Sequence, residues 1–429
     1  MVENLTKRIQ QSIYAASGGR SQAKAVYRLL ANEKFETAKV QGGIKDACIE
    51  QMKNYDTVLL VQDTTEIDLN GHKKTEGLGY CDQHNRGILL HSCVAIGLDG
   101  VPIGIVTQTA ETRATAANET LTASEKVKRP IEEKESFRWL ETMREAAASV
   151  PDGVHGIIVA DRECDFYEFY DDAQRIACDF VIRVVTNRVT QGGEKLKQVF
   201  ANTKPCGKMR VEVPRDSRKG IKARVAELTV RYTTISINRP AVRKEEHIAK
   251  QVSMNIVQIT EENPPAGVEA ISWILATNLP VTGFDSAVKV VEIYVKRWGI
   301  ERFHYVLKSG CKAESIQQRH YERIKVLLFL YSAIAIFIMQ MTLLNRAQPE
   351  LPCGIFFEED EWKILYCAAN RTKTPPAEPY PLENAVRYLS ILGGRKNAPS
   401  DGAAGMSAIW QGLSALFILT AYAPFVGQA

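Results

Sequence analysis

Two short apolar runs, Thr57-Val58-Leu59-Leu60-Val61-Gln62 and Val154-His155-Gly156-Ile157-Ile158-Val159-Ala160, each end directly on an aspartate, Asp63 and Asp161. Runs of this length, rich in β-branched residues and bounded by polar ones, read as buried strands. Between them, Gly87 to Leu98 reads as a second strand, Asp99-Gly100 as a two-residue hairpin turn and Val101 to Gln108 as the returning third strand. Glu135 to Ser149 has helical spacing, Phe166 to Ile176 is a further helix, and Asp179 to Val185 is a fifth strand containing Arg183. The order is strand, hairpin, helix, strand, helix, strand. In open sheets, reactive groups collect at the carboxyl ends of parallel strands. If the first and fourth strands pair in parallel, Asp63 and Asp161 become neighbours there.

A second feature lies at Ile293 to Ser315, in a stretch that reads as helix from near Asp285 and must yield at Gly310 after Lys308. Tyr294, Arg297, Glu301 and Lys308 recur along it at spacings of 3, 4 and 7. At about 100° per residue they fall within a wedge of roughly 60° on one face. A carboxylate, two cations and a phenol on one stripe suit a metal ion beside a phosphodiester. The solvated face of an amphipathic helix accounts for them equally well.

Charge is unevenly spread. The net charge is only +4, yet Arg183 to Lys250 holds 17 Lys/Arg against 6 Asp/Glu, so the remainder of the chain is net negative. Such polarity suggests one module shaped to meet a polyanion. Short antiparallel strands are expected at Val211–Val213, Ala226–Tyr232 and Ile256–Ile259, with Lys204, Lys208, Arg210, Arg215, Arg218, Lys219, Lys222 and Arg224 crowding the turns. These cations would hold phosphates without reading sequence, or serve as solubilising loops. Near the start, Lys24 and Arg28 stand one helical turn apart, along a DNA backbone or simply in solvent.

The predicted fold class is α/β: an RNase H-like catalytic core over 55–345, interrupted by a basic β-strand insertion at 186–270, with helical N- and C-terminal regions at 1–54 and 346–429. The N-terminal region is expected to contact DNA, and the C-terminal region to dimerise. Val326 to Met339 is apolar but shorter than the ~18–20 residues that span a bilayer, so a buried core helix and no membrane association are expected. Met406 to Ala423 is an apolar terminal helix, either a dimer interface or a docked core helix. The nine cysteines form no C-x-x-C pair, which argues against a zinc site and fits reduced thiols. MVENLTKRIQQS contains no apolar run, so a cytoplasmic protein is expected.

Asp63, Asp161 and Glu301 are hard oxygen donors with no accompanying His or Cys set. Oxygen-only ligation selects Mg²⁺, with Mn²⁺ able to substitute, over zinc. Three carboxylates can hold two ions about 3.5–4 Å apart across an in-line phosphoryl displacement. Arg297 and Lys308 would grip flanking phosphates, Arg in bidentate fashion and Lys as a point charge.

These residues resemble the signatures of the IS4-type DDE transposases. Gln62-Asp63-Thr64-Thr65 looks like the first-Asp motif and Asp161-Arg162-Glu163 like the second. Tyr294, Arg297, Glu301 and Lys308 reproduce the Y-x2-R-x3-E-x6-K signature at full spacing, with similarity extending from about Ser21 to the last helix. The resemblance implies cut-and-paste transposition. A nicked transposon end forms a hairpin, water reopens it, and the 3′ end joins target DNA. It further implies a base flipped out of the stack, with Trp273 in the vacated position and Tyr294, Arg297 and Arg183 on the displaced phosphates. Read from the residues alone, Trp273 serves equally as core filler and Arg183 as a strand-edge ion pair. The implied partners are double-stranded DNA, as transposon ends and target, and a second copy of the chain in a synaptic homodimer. The implied location is the bacterial cytoplasm, on the nucleoid. The sequence departs from the family pattern in two places. Gly299 stands where a larger residue is expected, at a cost of about 1 kcal/mol of helix stability. The region ahead of Asp63 is short for this group, which raises a second expectation: a DNA-binding, dimerising relative that inhibits transposition.

Overall fold

A computed structural model describes residues 20–32, 36–114, 122, 125, 128–213, 222–243, 245–395 and 404–426. It divides into two compact units: Met1–Asn54, Thr64–Asn118 and Gly299–Ala429 in one, and Tyr55–Asp63 with Glu119–Trp298 in the other. The chain is mixed α/β, built on a large mixed sheet.

In the unit holding Glu119–Trp298, strand order is β1-β4-β5-β9-β8-β7-β6. The strands are β1 (Thr57–Asp68), β4 (His155–Ala160), β5 (Asp179–Arg183), β6 (Gly207–Val213), β7 (Arg224–Asn238), β8 (Gln251–Thr260) and β9 (Ser272–Thr277). The first three run parallel, and β9 turns antiparallel to β5. Val58 to Val61, Ile157 to Ala160 and Phe180 to Ile182 are buried almost completely, as expected where helices cover a parallel sheet. Helices Phe137–Ala148 (α3), Tyr167–Arg175 (α4) and Phe284–Val295 (α6) belong to this unit, as does the short Leu196–Asn202 (α5).

The basic segment differs from its expected form. Its strands are longer than the short pieces expected: β7 alone runs 15 residues, and β8 pairs with β9 from Asn255↔Thr277 to Thr260↔Ser272. The main sheet simply continues through it. Thr233, Thr234, Ser236 and Asn238 resemble a loop by polarity, but in β7 they fill positions on a half-exposed antiparallel pair, where alternation is the rule.

In the other unit, β2 (Gly87–Gly97) and β3 (Pro102–Glu111) form the expected hairpin. Gly100 sits at φ +86°, and Asp99 Oδ1 accepts from the Val101 amide at 2.9 Å, so the Asp-Gly turn is set by glycine's access to the left-handed region. Helices Arg20–Leu30 (α1) and Thr37–Met52 (α2) precede the hairpin in the chain, and α2 packs on β3. Trp298–Tyr305 is α7, the point in the chain where one unit passes to the other. The apolar run lies inside α8 (Tyr321–Ala347), a 27-residue helix about 40 Å long. Gln340 Nε2 on α8 donates to the Ile103 carbonyl at 2.9 Å, and Gln108 Nε2 on β3 donates to Ser332 Oγ at 3.0 Å, which fixes how α8 lies on the hairpin.

Among the described residues, two helices are long and apolar enough to cross a bilayer: α8, whose most apolar window is 78% buried, and Met406–Ala423, only 28% buried. The second lies within α11 (Met406–Val426), which follows α9 (Glu359–Asn370) and α10 (Leu382–Leu392). It buries Ile409, Trp410, Leu413 and Leu416 and leaves Ile418, Leu419 and Tyr422 exposed. The crossing of α10 and α11 is glycine-dependent. A Cβ on Gly412 would fall 2.0 Å from the Leu389 carbonyl oxygen, and one on Gly393 would fall 2.2 Å from that of Ala408. Both obstacles are backbone, so no side chain can swing aside. Gly412→Val is therefore expected to destabilise this helix pair by about 1–3 kcal/mol, seen as earlier proteolysis of α11 than of the remaining chain. Equal protease resistance would show that the close crossing is dispensable.

Candidate active site

β1 and β4 are in parallel register from Thr57↔His155 to Val61↔Val159. Carried two residues further, the same register sets Asp63 beside Asp161. Both aspartates therefore follow the paired segment at the same end of the sheet. Asp63 is not at the exit of its strand: β1 continues to Asp68, because Thr64, Thr65 and Ile67 keep an extended backbone. It is the pairing with β4 that ends before Asp63. Asp161 leaves β4 and caps a 3₁₀ turn, Arg162–Cys164, its Oδ1 accepting from the Glu163 amide at 2.8 Å. That bond fixes one oxygen of Asp161.

The adjoining strands add cations and rings. Ala160 pairs with Ile182 on β5, so Arg183, the last residue of β5, follows next to Asp161 in register. The Arg183 guanidinium lies 6.0 Å from the Trp273 ring centroid, within cation–π range. Trp273, half-buried on β9, meets Tyr294 edge-to-face at 5.4 Å. Arg297 lies 5.8 Å from the Tyr294 ring and 5.7 Å from the Trp298 ring, and its Nη1 stands 3.8 Å from Asp63 Oδ2. The structure thus brings Arg183, Trp273, Tyr294, Arg297 and Asp63 into one row of contacts, with Asp161 in the same unit and close enough to act electrostatically on Tyr294. The Tyr294 hydroxyl is buried beside the Arg297 side chain. Burial pushes its pKa up, against the neighbouring Arg297 and Arg183 charges, which pull it down.

Beneath this row lies Cys164, fully buried. Burial pushes its thiol well above the ordinary value, and Asp161, Glu163, Asp165 and Asp63 push it further. A thiol held neutral is neither nucleophile nor ligand. Iodoacetamide at pH 8 is expected to leave Cys164 unlabelled in the folded protein, by peptide mass mapping, and to label it after denaturation. Labelling of the native chain would contradict the burial.

Glu301 and Lys308 belong to the other unit. The helix expected from near Asp285 to Gly310 is interrupted twice. Lys296 and Arg297 form a turn after α6, and Val306–Gly310 winds as a π-helix that ends, as expected, at Gly310. The 60° wedge presumed an unbroken 3.6-residue repeat, so the shared stripe does not survive as a helical face. Glu301 lies half-buried on α7. Lys308 Nζ donates to the Glu66 carbonyl at 2.8 Å and pairs with Glu314 at 3.0 Å. Gly299 has a local reason: a Cβ there would meet Ile96 Cδ1 at 2.6 Å. Among the described residues, no three His, Cys, Asp or Glu side chains are grouped closely enough to hold an ion.

The basic set is partly spoken for. Lys208 pairs with Glu227 at 2.8 Å, and Arg224 makes a two-pronged pair with the buried Glu261, whereas Lys204, Arg210 and Lys222 are exposed. Arg215, Arg218 and Lys219 lie outside the described residues. Sequence reasoning missed Asp165 and Arg188. Their signal was faint: an acid just past the Asp161 turn, and a single Arg in a polar loop.

The profile of the family described as "Transposase DDE domain" matches residues 55–338. The chain belongs to this transposase DDE family. All eight residues singled out above, Asp63, Asp161, Glu301, Arg183, Trp273, Tyr294, Arg297 and Lys308, fall within the DDE match, and α9 to α11 lie beyond it. Among solved structures, this DDE-family chain is similar to a piggyBac transposase synaptic complex with hairpin DNA, determined by cryo-EM. The identity is 13% and the TM-score 0.37, over 94% of this chain and 72% of that one. A score of that size decides nothing about mechanism.

Proposed function

We propose that this chain is a DNA transposase of the IS4 type, similar to the Tn5 transposase, acting at transposon ends through an RNase H-like core. The observation that carries the reading is the Asp63–Asp161 pair, aligned by the parallel register of β1 and β4 in a chain of the DDE family. Hard carboxylate oxygens suit Mg²⁺ or Mn²⁺. Asp63 and Asp161 would hold the ions, with Glu301 as the third ligand by resemblance. When bound, such ions supply a stronger nucleophile and charge stabilisation for in-line phosphoryl displacement.

The chain's own residues do the rest. Arg297 and Arg183 flank the acids and present planar donor forks to phosphate oxygens. The buried Tyr294 hydroxyl, beside Arg297, donates to a phosphate between them. Trp273 offers its ring to a gap left when a base leaves the stack, as the hairpin route requires. Exposed cations on β6 and the turns around it add salt-dependent backbone affinity. The proposed assembly is a homodimer on two DNA ends, in the bacterial cytoplasm.

The test is a Mn²⁺-dependent cleavage assay on a duplex carrying the terminal inverted repeat that flanks the gene. Nicks at the repeat boundary followed by a hairpin product are expected. A gel shift without nicking would point to the inhibitory relative, and nicking without hairpins to a nuclease that performs no strand transfer.

A further inference from the structure

Asp165 sits one residue past the 3₁₀ turn that Asp161 caps, and its side chain is 1% exposed. Its Oδ2 accepts from the backbone amides of Val185, at 2.9 Å, and Thr186, at 2.8 Å. Its Oδ1 accepts from the Tyr170 hydroxyl at 2.8 Å and from Arg188 Nη2. The same Nη2 also reaches the Asp165 carbonyl, and the Arg188 guanidinium lies 5.5 Å from the Tyr170 ring. One carboxylate therefore gathers four donors from two stretches of chain, Tyr170 on α4 and residues 185–188 after β5. Val185 and Thr186 directly follow Arg183 and Val184, whose amide is tied to Ile274 on β9 at 2.7 Å. On the other side, the Asp165 amide closes the turn by donating to the Arg162 carbonyl at 3.2 Å.

We propose that Asp165 is a positioning residue: it locks the turn carrying Asp161 to the exit of β5 carrying Arg183, so that acid and guanidinium face the same phosphate. The inference rests on the proposed function. Asp161 is held from the front by its own capping bond and from behind by this clamp. The turn packs directly on β5, and Asp165 adds the hydrogen bonds that join its end to the residues leaving that strand. Burial alone would push the Asp165 carboxyl up, but Arg188, the two amides and the Tyr170 hydroxyl together hold it below the usual carboxylate range, so the clamp is ionic at neutral pH.

The experiment compares wild-type full-length protein with Asp165→Asn, which turns an amide NH₂ toward the Arg188 guanidinium, and with Arg188→Lys, which keeps the charge but loses the fork. Three quantities are read: amide hydrogen exchange at Val185 and Thr186, half-saturation by the inverted-repeat duplex, and the nicking rate at saturating DNA with Mn²⁺. A positioning role predicts faster exchange at both amides, half-saturation within about twofold, and a nicking rate lower by about 10–100-fold, the scale of a misplacement near 1 Å. Tyr170→Phe, which spares the Oδ2 clamp, should stay within about threefold of wild type. Wild-type nicking in a folded Asp165→Asn protein overturns the proposal. So does a loss confined to DNA affinity, or a failure of both Asp165→Asn and Arg188→Lys to fold by circular dichroism. If wild-type protein nicks nothing, the functional reading fails instead. The exchange data, which need no activity, still report whether Asp165 holds the two segments together.

Discussion

Asp161→Asn and Asp63→Asn will each lower Mn²⁺-dependent nicking by on the order of 10³-fold while leaving affinity for the inverted-repeat duplex unchanged or slightly tighter. Each replacement removes one hard ligand, and with it several kcal/mol of transition-state stabilisation. Each also removes a negative charge from a surface that meets a polyanion, so binding does not suffer. Asparagine can still accept the Glu163 amide at position 161, which keeps the 3₁₀ turn intact and separates chemistry from folding. Side-by-side gel-shift and cleavage measurements decide the matter. Undiminished nicking by either variant would remove that aspartate from the site.

The second large effect is on stability. Arg243 and Glu168 form an ion pair with side chains only 5% and 10% exposed, and Arg243 also donates to the Arg129 carbonyl at 2.8 Å. Replacing one partner strands the other charge in a dry environment. Arg243→Met is expected to cost about 3–5 kcal/mol, read as a fall in the urea midpoint of the full-length protein. The double variant Glu168→Gln, Arg243→Met should recover much of that loss, since no bare charge is left. If the double variant is no more stable than the single, the pair's role is packing rather than charge compensation.

The parts of the fold that the chain announces are those governed by short-range patterning. β1, β4 and β5 announce themselves by β-branched runs, and the β2–β3 hairpin by Asp99-Gly100. The two aspartates were legible because a buried strand that ends on a charge is costly unless the charge has a task. What stayed hidden depends on contacts far apart in sequence. The continuation of the sheet through β6 to β9 is decided by which edge of β5 is open, something no local window contains. The interruption at Lys296-Arg297 was hidden because those residues are compatible with helix, and it is pinned by the pull of Asp63 and two aromatic rings on Arg297. Asp165 was hidden because its value comes from Val185, Thr186 and Arg188, some 20 residues on, and not from its neighbours.

The approach of Arg297 to Asp63 has a consequence for the order of events. A guanidinium resting on a carboxylate already has its anion, and to embrace a phosphate it must let go. Under the proposed function, arrival of the nucleic acid strips the acid of its internal counter-ion at the moment when a divalent cation becomes useful. On that reading the acid would be quenched from within at rest and free to ligate only once loaded, an interlock that would favour substrate first and ion second.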